Sequence, residues 1–134
     1  VSILRKKYTM ATVAGILAMV FSFAFQLHTY AASWATVQIY GSTSSNVSSR
    51  IGPNSSGYIK YKVENYTDFD VKWYIRDTWT GVIVRFGKLY TYGSTSGTVY
   101  GLTNRYYLYL KCDNIYSSWD NNRCNSYGWI NNEY

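Results

Sequence analysis

Apolar and polar side chains alternate along much of this chain with a period of two, the pattern of a strand that buries one face. In Tyr58 to Val63, Ile59, Tyr61 and Val63 point to a core while Tyr58, Lys60 and Lys62 point out. The pattern returns with Val71, Trp73 and Ile75 inward and Lys72, Tyr74 and Arg76 outward. Arg105 to Cys112 is the longest clean alternation, with Tyr106, Leu108, Leu110 and Cys112 on one face and Arg105, Tyr107, Tyr109 and Lys111 on the other. Thr36 to Tyr40, Val82 to Tyr90, Thr98 to Tyr100 and Tyr127 to Ile130 read as further strands. Within Val82 to Tyr90, Arg85 falls on the polar face, and Gly87 is the expected site of a bulge.

Turn chemistry separates these segments. Residues 41–57 are dominated by Ser, Gly and Asn and include the single proline, Pro53, so they read as a loop that Val47 and Ile51 pin down as a short edge strand. Glu64 to Asp68 and Thr91 to Gly97 read as turns. Asp77 to Gly81 has the residues of a hairpin loop, with Trp79 at its tip. No window beyond the N-terminal region keeps apolar residues at helical spacing. About seven short strands predict an all-β domain, a small antiparallel β-sandwich, with a small β-barrel as the alternative.

The N-terminus follows a different pattern. Arg5, Lys6 and Lys7 precede an apolar run from Met10 to Leu27, and small residues follow at Ala31 and Ala32. This is the layout of a signal-peptide helix over residues 1–32, leaving a single secreted β domain at 33–134. The apolar run is also just long enough to serve as an uncleaved N-terminal membrane anchor. Export makes Cys112 and Cys124, the only two cysteines, a disulfide pair that stabilises by roughly 3 kcal/mol through loop closure.

Charge and composition narrow the chemistry. The full chain has 13 Lys+Arg and 7 Asp+Glu; without Arg5, Lys6 and Lys7 the balance falls to +3, too small for a dedicated nucleic-acid binder. The sole histidine, His28, lies in the signal segment, so the domain has no imidazole for a catalytic triad or a metal. No carboxylate pair stands out, and no phosphate loop or cofactor motif is present. Asp113-Asn114 and Asp120-Asn121-Asn122 crowd oxygen donors between the cysteines, but their spacing does not match an EF-hand, so no metal site is assigned. Asn46, Asn54 and Asn65 each begin an N-glycosylation acceptor pattern.

The constellation that remains is the outward face of the strands. If they share a sheet, Tyr58, Lys72, Tyr74, Arg76, Tyr107, Tyr109 and Lys111 interleave rings with cations. Tyrosine rings offer stacking platforms, and neighbouring cations take anionic groups. The same residues also serve as strand formers and aggregation guards. The pattern leads to a non-enzymatic module that binds an extracellular or cell-envelope glycan or other anionic polymer. A cationic antibacterial or toxin-like protein acting on target membranes and a self-associating matrix component are the alternatives.

Mass measurement of protein recovered from culture medium is expected to show cleavage after Ala31 or Ala32 and the loss of two hydrogens. Recovery of the intact N-terminus from membranes would instead establish the anchor.

Overall fold

A computed structural model describes residues 33–41, 43–112 and 124–134. The signal-peptide and anchor readings, and the Asp/Asn-rich stretch between the cysteines, lie outside these residues. Eight strands form two four-stranded antiparallel sheets that pack as a β-sandwich. They are β1 (Trp34–Gly41), β2 (Ser45–Val47), β3 (Ile59–Asn65), β4 (Val71–Asp77), β5 (Ile83–Leu89), β6 (Ser94–Val99), β7 (Tyr106–Cys112) and β8 (Cys124–Asn131). One sheet has the order β1-β8-β3-β6 and is called here sheet A; sheet B has the order β2-β7-β4-β5.

The alternating pattern accounts for the core. Val37 and Ile39 of β1, Ile59, Tyr61 and Val63 of β3, and Ile130 of β8 face Val71, Trp73 and Ile75 of β4 and Leu108 and Leu110 of β7. All of these side chains are buried. Only β4 and β5 are consecutive neighbours in one sheet; every other connection between successive strands crosses to the opposite sheet. The disulfide between Cys112 at the end of β7 and Cys124 at the start of β8 therefore ties sheet B to sheet A, with a Cα–Cα distance of 6.4 Å.

The strand pattern differs from the sequence expectation in three places. Thr91 to Gly97, read as a turn, contributes most of β6, whose Ser, Thr and Gly residues lack an apolar rhythm. Backbone pairing to β3, from Ile59↔Val99 to Glu64↔Ser94, holds this edge strand in place. The bulge in the β4–β5 hairpin lies opposite Ile75 and Arg76 rather than at Gly87. It turns Arg85 off the polar face to which the simple alternation assigned it, and Arg85 Nε donates to Tyr61 Oη at 3.2 Å across the sandwich. The expected turn at Glu64 to Asp68 begins with a buried anchor: Asn65 donates to the carbonyls of Phe69 and Tyr90 and accepts from the Thr67 amide and hydroxyl. Asn65 and Asn54 are both buried, so of the three acceptor patterns only Asn46 presents an exposed asparagine.

Two glycines set the packing where the sheet edges meet. Gly87 of β5 pairs with Trp73 and Gly97 of β6 pairs with Tyr61. A Cβ on Gly87 would lie 2.8 Å from Trp73 Nε1, and one on Gly97 2.8 Å from Tyr61 Oη. Each ring thus occupies the space a side chain would need. The hairpin loop is fixed by polar bonds instead: Asp77 Oδ1 accepts from the amides of Trp79 and Thr80, Oδ2 accepts from Asn104 Nδ2 at 2.8 Å, and Gly81 takes φ +75°. Burial pushes the Asp77 carboxyl up, but the bonds from Asn104, Thr80 and Trp79 outweigh it and hold the group below its ordinary value of 3.8.

Gly87→Ala and Gly97→Ala are each expected to lower stability by about 1–3 kcal/mol in urea titrations, because the buried rings must shift. Gly52→Ala is the control: its nearest obstacle is the Asn104 carbonyl at 3.8 Å, and its effect is expected to stay within about 0.5 kcal/mol.

Asp77 supplies a pH signature. A carboxyl with a depressed folded pKa stabilises above its unfolded value, and that contribution disappears as pH falls through the folded value. The melting temperature of Asp77→Ala is therefore expected to lie below that of the native protein at pH 7, with the gap narrowing steadily once the pH drops below about 4. A gap independent of pH would mean that the carboxylate charge has no part in the hairpin.

Candidate functional site

The outer face of sheet B is built from three transverse rows set by strand register. Val47, Tyr109, Tyr74 and Phe86 lie opposite one another across β2, β7, β4 and β5. On one side of this row run Lys111, Lys72 and Lys88, and on the other Tyr107, Arg76 and Ile83. The two-residue period of each strand and the antiparallel register together place an aromatic row between two rows that carry cations.

Within the face, the Tyr74 ring stacks on Tyr109 with centroids 4.5 Å apart and planes 21° apart, and it meets Tyr107 at 6.4 Å. The opposite side of Tyr74 lines a groove of about 370 Å³ whose walls include Phe86, Ile83, Lys72 and Lys88. Phe86 is 77% exposed, an unusual position for a phenylalanine on a folded domain. Burial raises the pKa of the Tyr74 hydroxyl, Tyr107 and Tyr109 add to the shift, and a hydrogen bond with Arg76 opposes it. The phenol stays protonated at neutral pH and can donate to a ligand.

The cations are held in place. Arg76 Nε donates to the Gly81 carbonyl at 2.8 Å, which anchors the guanidinium beside the hairpin. Lys88 pairs with Asp70 at 3.2 Å. Lys72 stands directly opposite Lys111 on one side and Lys88 on the other, so the three cations form one line across the strands. Beyond the groove, the hairpin carries Trp79, 87% exposed, and the exposed Val82.

Six of the seven sequence-derived positions, Lys72, Tyr74, Arg76, Tyr107, Tyr109 and Lys111, share this face. Tyr58 does not: it precedes β3 of sheet A and packs against Tyr100 at 5.6 Å and Tyr134 at 6.2 Å, with Lys60 Nζ 6.0 Å from its ring. Lys62 is likewise on the outer face of sheet A, paired with Glu64 at 2.6 Å. Phe86 and Lys88 were absent from the sequence-derived set. Shifting the bulge position would have exposed both, because it puts Phe86 and Lys88 in phase with Tyr74 and Lys72.

Among the described residues, no group of three or more His, Cys, Asp or Glu side chains is placed to hold a metal. Glu64 accepts from Tyr66 and pairs with Lys62, which together hold its carboxyl below the ordinary range. The groove itself is lined by the rings of Tyr74 and Phe86, by Ile83, and by Lys72 and Lys88.

No protein-family model and no curated protein matches the chain. Among solved structures, the pre-peptidase C-terminal domain of a Bacillus anthracis collagenase superposes with a TM-score of 0.50 at 15% identity, over 73% of this chain and 87% of that one. A protein of the disulfide-linked pili that form Bacillus endospore appendages gives 0.40 at 13% identity, over 76% and 86%. A carbohydrate-binding module of Cellvibrio mixtus lichenase 5A, solved with cellotriose, gives 0.40 at 11% identity, over 78% and 75%. The first of these likenesses shows the β-sandwich fold and nothing finer.

Proposed function

We propose that this domain is a secreted, non-enzymatic module that binds an anionic glycan of the cell envelope or extracellular matrix on the outer face of sheet B. The observation that carries the reading is the register itself: Lys111, Lys72 and Lys88 form a row beside Tyr109, Tyr74 and Phe86, and a groove opens between Tyr74 and Phe86. A sugar ring in the groove contacts the Tyr74 and Phe86 rings through its C–H faces, while its carboxylate or phosphate groups meet the lysine row. An extended polymer crossing the strands meets several cations at once, so modest contacts add through multivalency.

The exposed apolar side chains of the hairpin, Trp79, Val82, Ile83 and Phe86, favour a second reading. Apolar tips beside lysines also suit insertion into an anionic lipid surface. Leakage of dye from anionic vesicles separates this reading from glycan binding.

Calorimetry with polygalacturonate, teichoic acid and neutral dextran tests the proposal. The two anionic polymers are expected to bind and dextran is not. Tyr74→Ser combined with Phe86→Ser is expected to weaken polymer binding at least tenfold without loss of fold. Lys111→Gln should weaken binding most at low salt, where the Debye length is about 30 Å at 0.01 M, while leaving the melting temperature unchanged or slightly higher. Equal binding of dextran, or full affinity in the double variant, refutes the assignment.

A further inference from the structure

A second opening lies between the sheets, where edge strands β5 and β6 part. This cleft has a volume of about 650 Å³, within the range of roughly 300–1,000 Å³ common for small-molecule sites. Its lining includes Trp73, Arg85 and Leu89 from sheet B and Tyr61, Ser94 and Thr95 from sheet A. Tyr61 and Trp73 meet at 5.1 Å, each lying over a glycine of the adjacent edge strand, and this buried pair forms the floor of the cleft.

Arg85 gives the cleft its chemistry. The bulge swings it inward, and its Nε is fixed on Tyr61 Oη, a bond that leaves the paired Nη donors out of the contact. Among the described residues, no carboxylate pairs with Arg85, whereas Lys62 and Lys88 each have one. A guanidinium held at an aromatic-lined cleft without an acidic partner calls for an anion that arrives from outside, and the planar fork of Arg matches a carboxylate through two parallel bonds. Thr95, opposite the buried Val63, faces the same side as the cleft and adds a hydroxyl to it.

We infer that the cleft between β5 and β6 is a second binding site, for a small carboxylated ligand, with Arg85 as the partner of the carboxylate. The cleft adjoins the outer-face groove along β5, where Ile83, Phe86 and Lys88 line both openings, but Arg85, Tyr61 and Thr95 belong to the cleft alone, and the assignment does not require that the outer face bind a polymer.

The test uses the secreted protein with methyl glucuronide as probe and methyl glucoside as its uncharged counterpart, followed by two-dimensional NMR. The glucuronide is expected to shift the Trp73 indole N–H resonance saturably, with the glucoside at least tenfold weaker. Arg85→Gln is expected to reduce glucuronide affinity at least tenfold, with Arg85→Lys falling between it and the native protein. Because Arg85 also braces Tyr61, each variant is checked by its melting curve, and the pair of variants separates charge recognition from loss of fold. The Lys111→Gln variant, whose residue lies outside the cleft lining, should keep full glucuronide affinity; loss of polymer binding alone in that variant leaves the cleft assignment standing. Equal binding of the two sugars, no saturable shift at Trp73, or native affinity in a folded Arg85→Gln protein overturns it.

Discussion

The contact between Tyr61 and Trp73 governs one whole side of this sandwich. The rings meet across the sheets at 5.1 Å, and each can do so only because the paired position on the neighbouring edge strand is glycine. A larger residue at Gly87 or Gly97 would push a ring back into a core packed at near-crystalline density. The ring pair also fixes Arg85 through the Tyr61 hydroxyl. Packing, edge shape and the placement of a cation thus depend on the same few atoms.

The opposite side is closed differently. There β1 and β2 lie near each other at the sheet ends, and the Cys112–Cys124 bridge fastens β7 to β8. One side is held by covalent chemistry and strand contact, while the other is held by two rings and left open. Small-molecule sites favour openings of this kind, where a rigid frame supports a gap lined by aromatic and polar groups.

Much of this was legible in the alternation. Ile59, Tyr61, Val63, Val71, Trp73, Ile75, Leu108 and Leu110 all announce a buried face, and all are buried. The rows of the outer face follow from the same period once β4 and β7 are neighbours, which is why Lys72, Tyr74, Arg76, Tyr107, Tyr109 and Lys111 come together. Strand adjacency itself was not legible, so Tyr58, with the same local pattern, falls on the other sheet. Nor was β6, because Ser, Thr and Gly signal turns locally and only pairing with β3 makes them a strand. A single extra residue in the hairpin reversed the facing of Arg85 and Phe86, since a one-residue slip exchanges the two faces of a strand.

The order of the strands bears on how the chain reaches this state. β1, the first of the described strands, pairs in sheet A with β8 alone, the last of them in chain order. Sheet A is incomplete until β8 has emerged, and the one local hairpin among the described strands, β4–β5, belongs to the other sheet. Contacts between the ends of a chain carry a large loop-closure cost before they contribute, so a nascent domain of this topology cannot assemble progressively from its N-terminus. Native sheet A therefore forms only once β8 is available to pair with both β1 and β3.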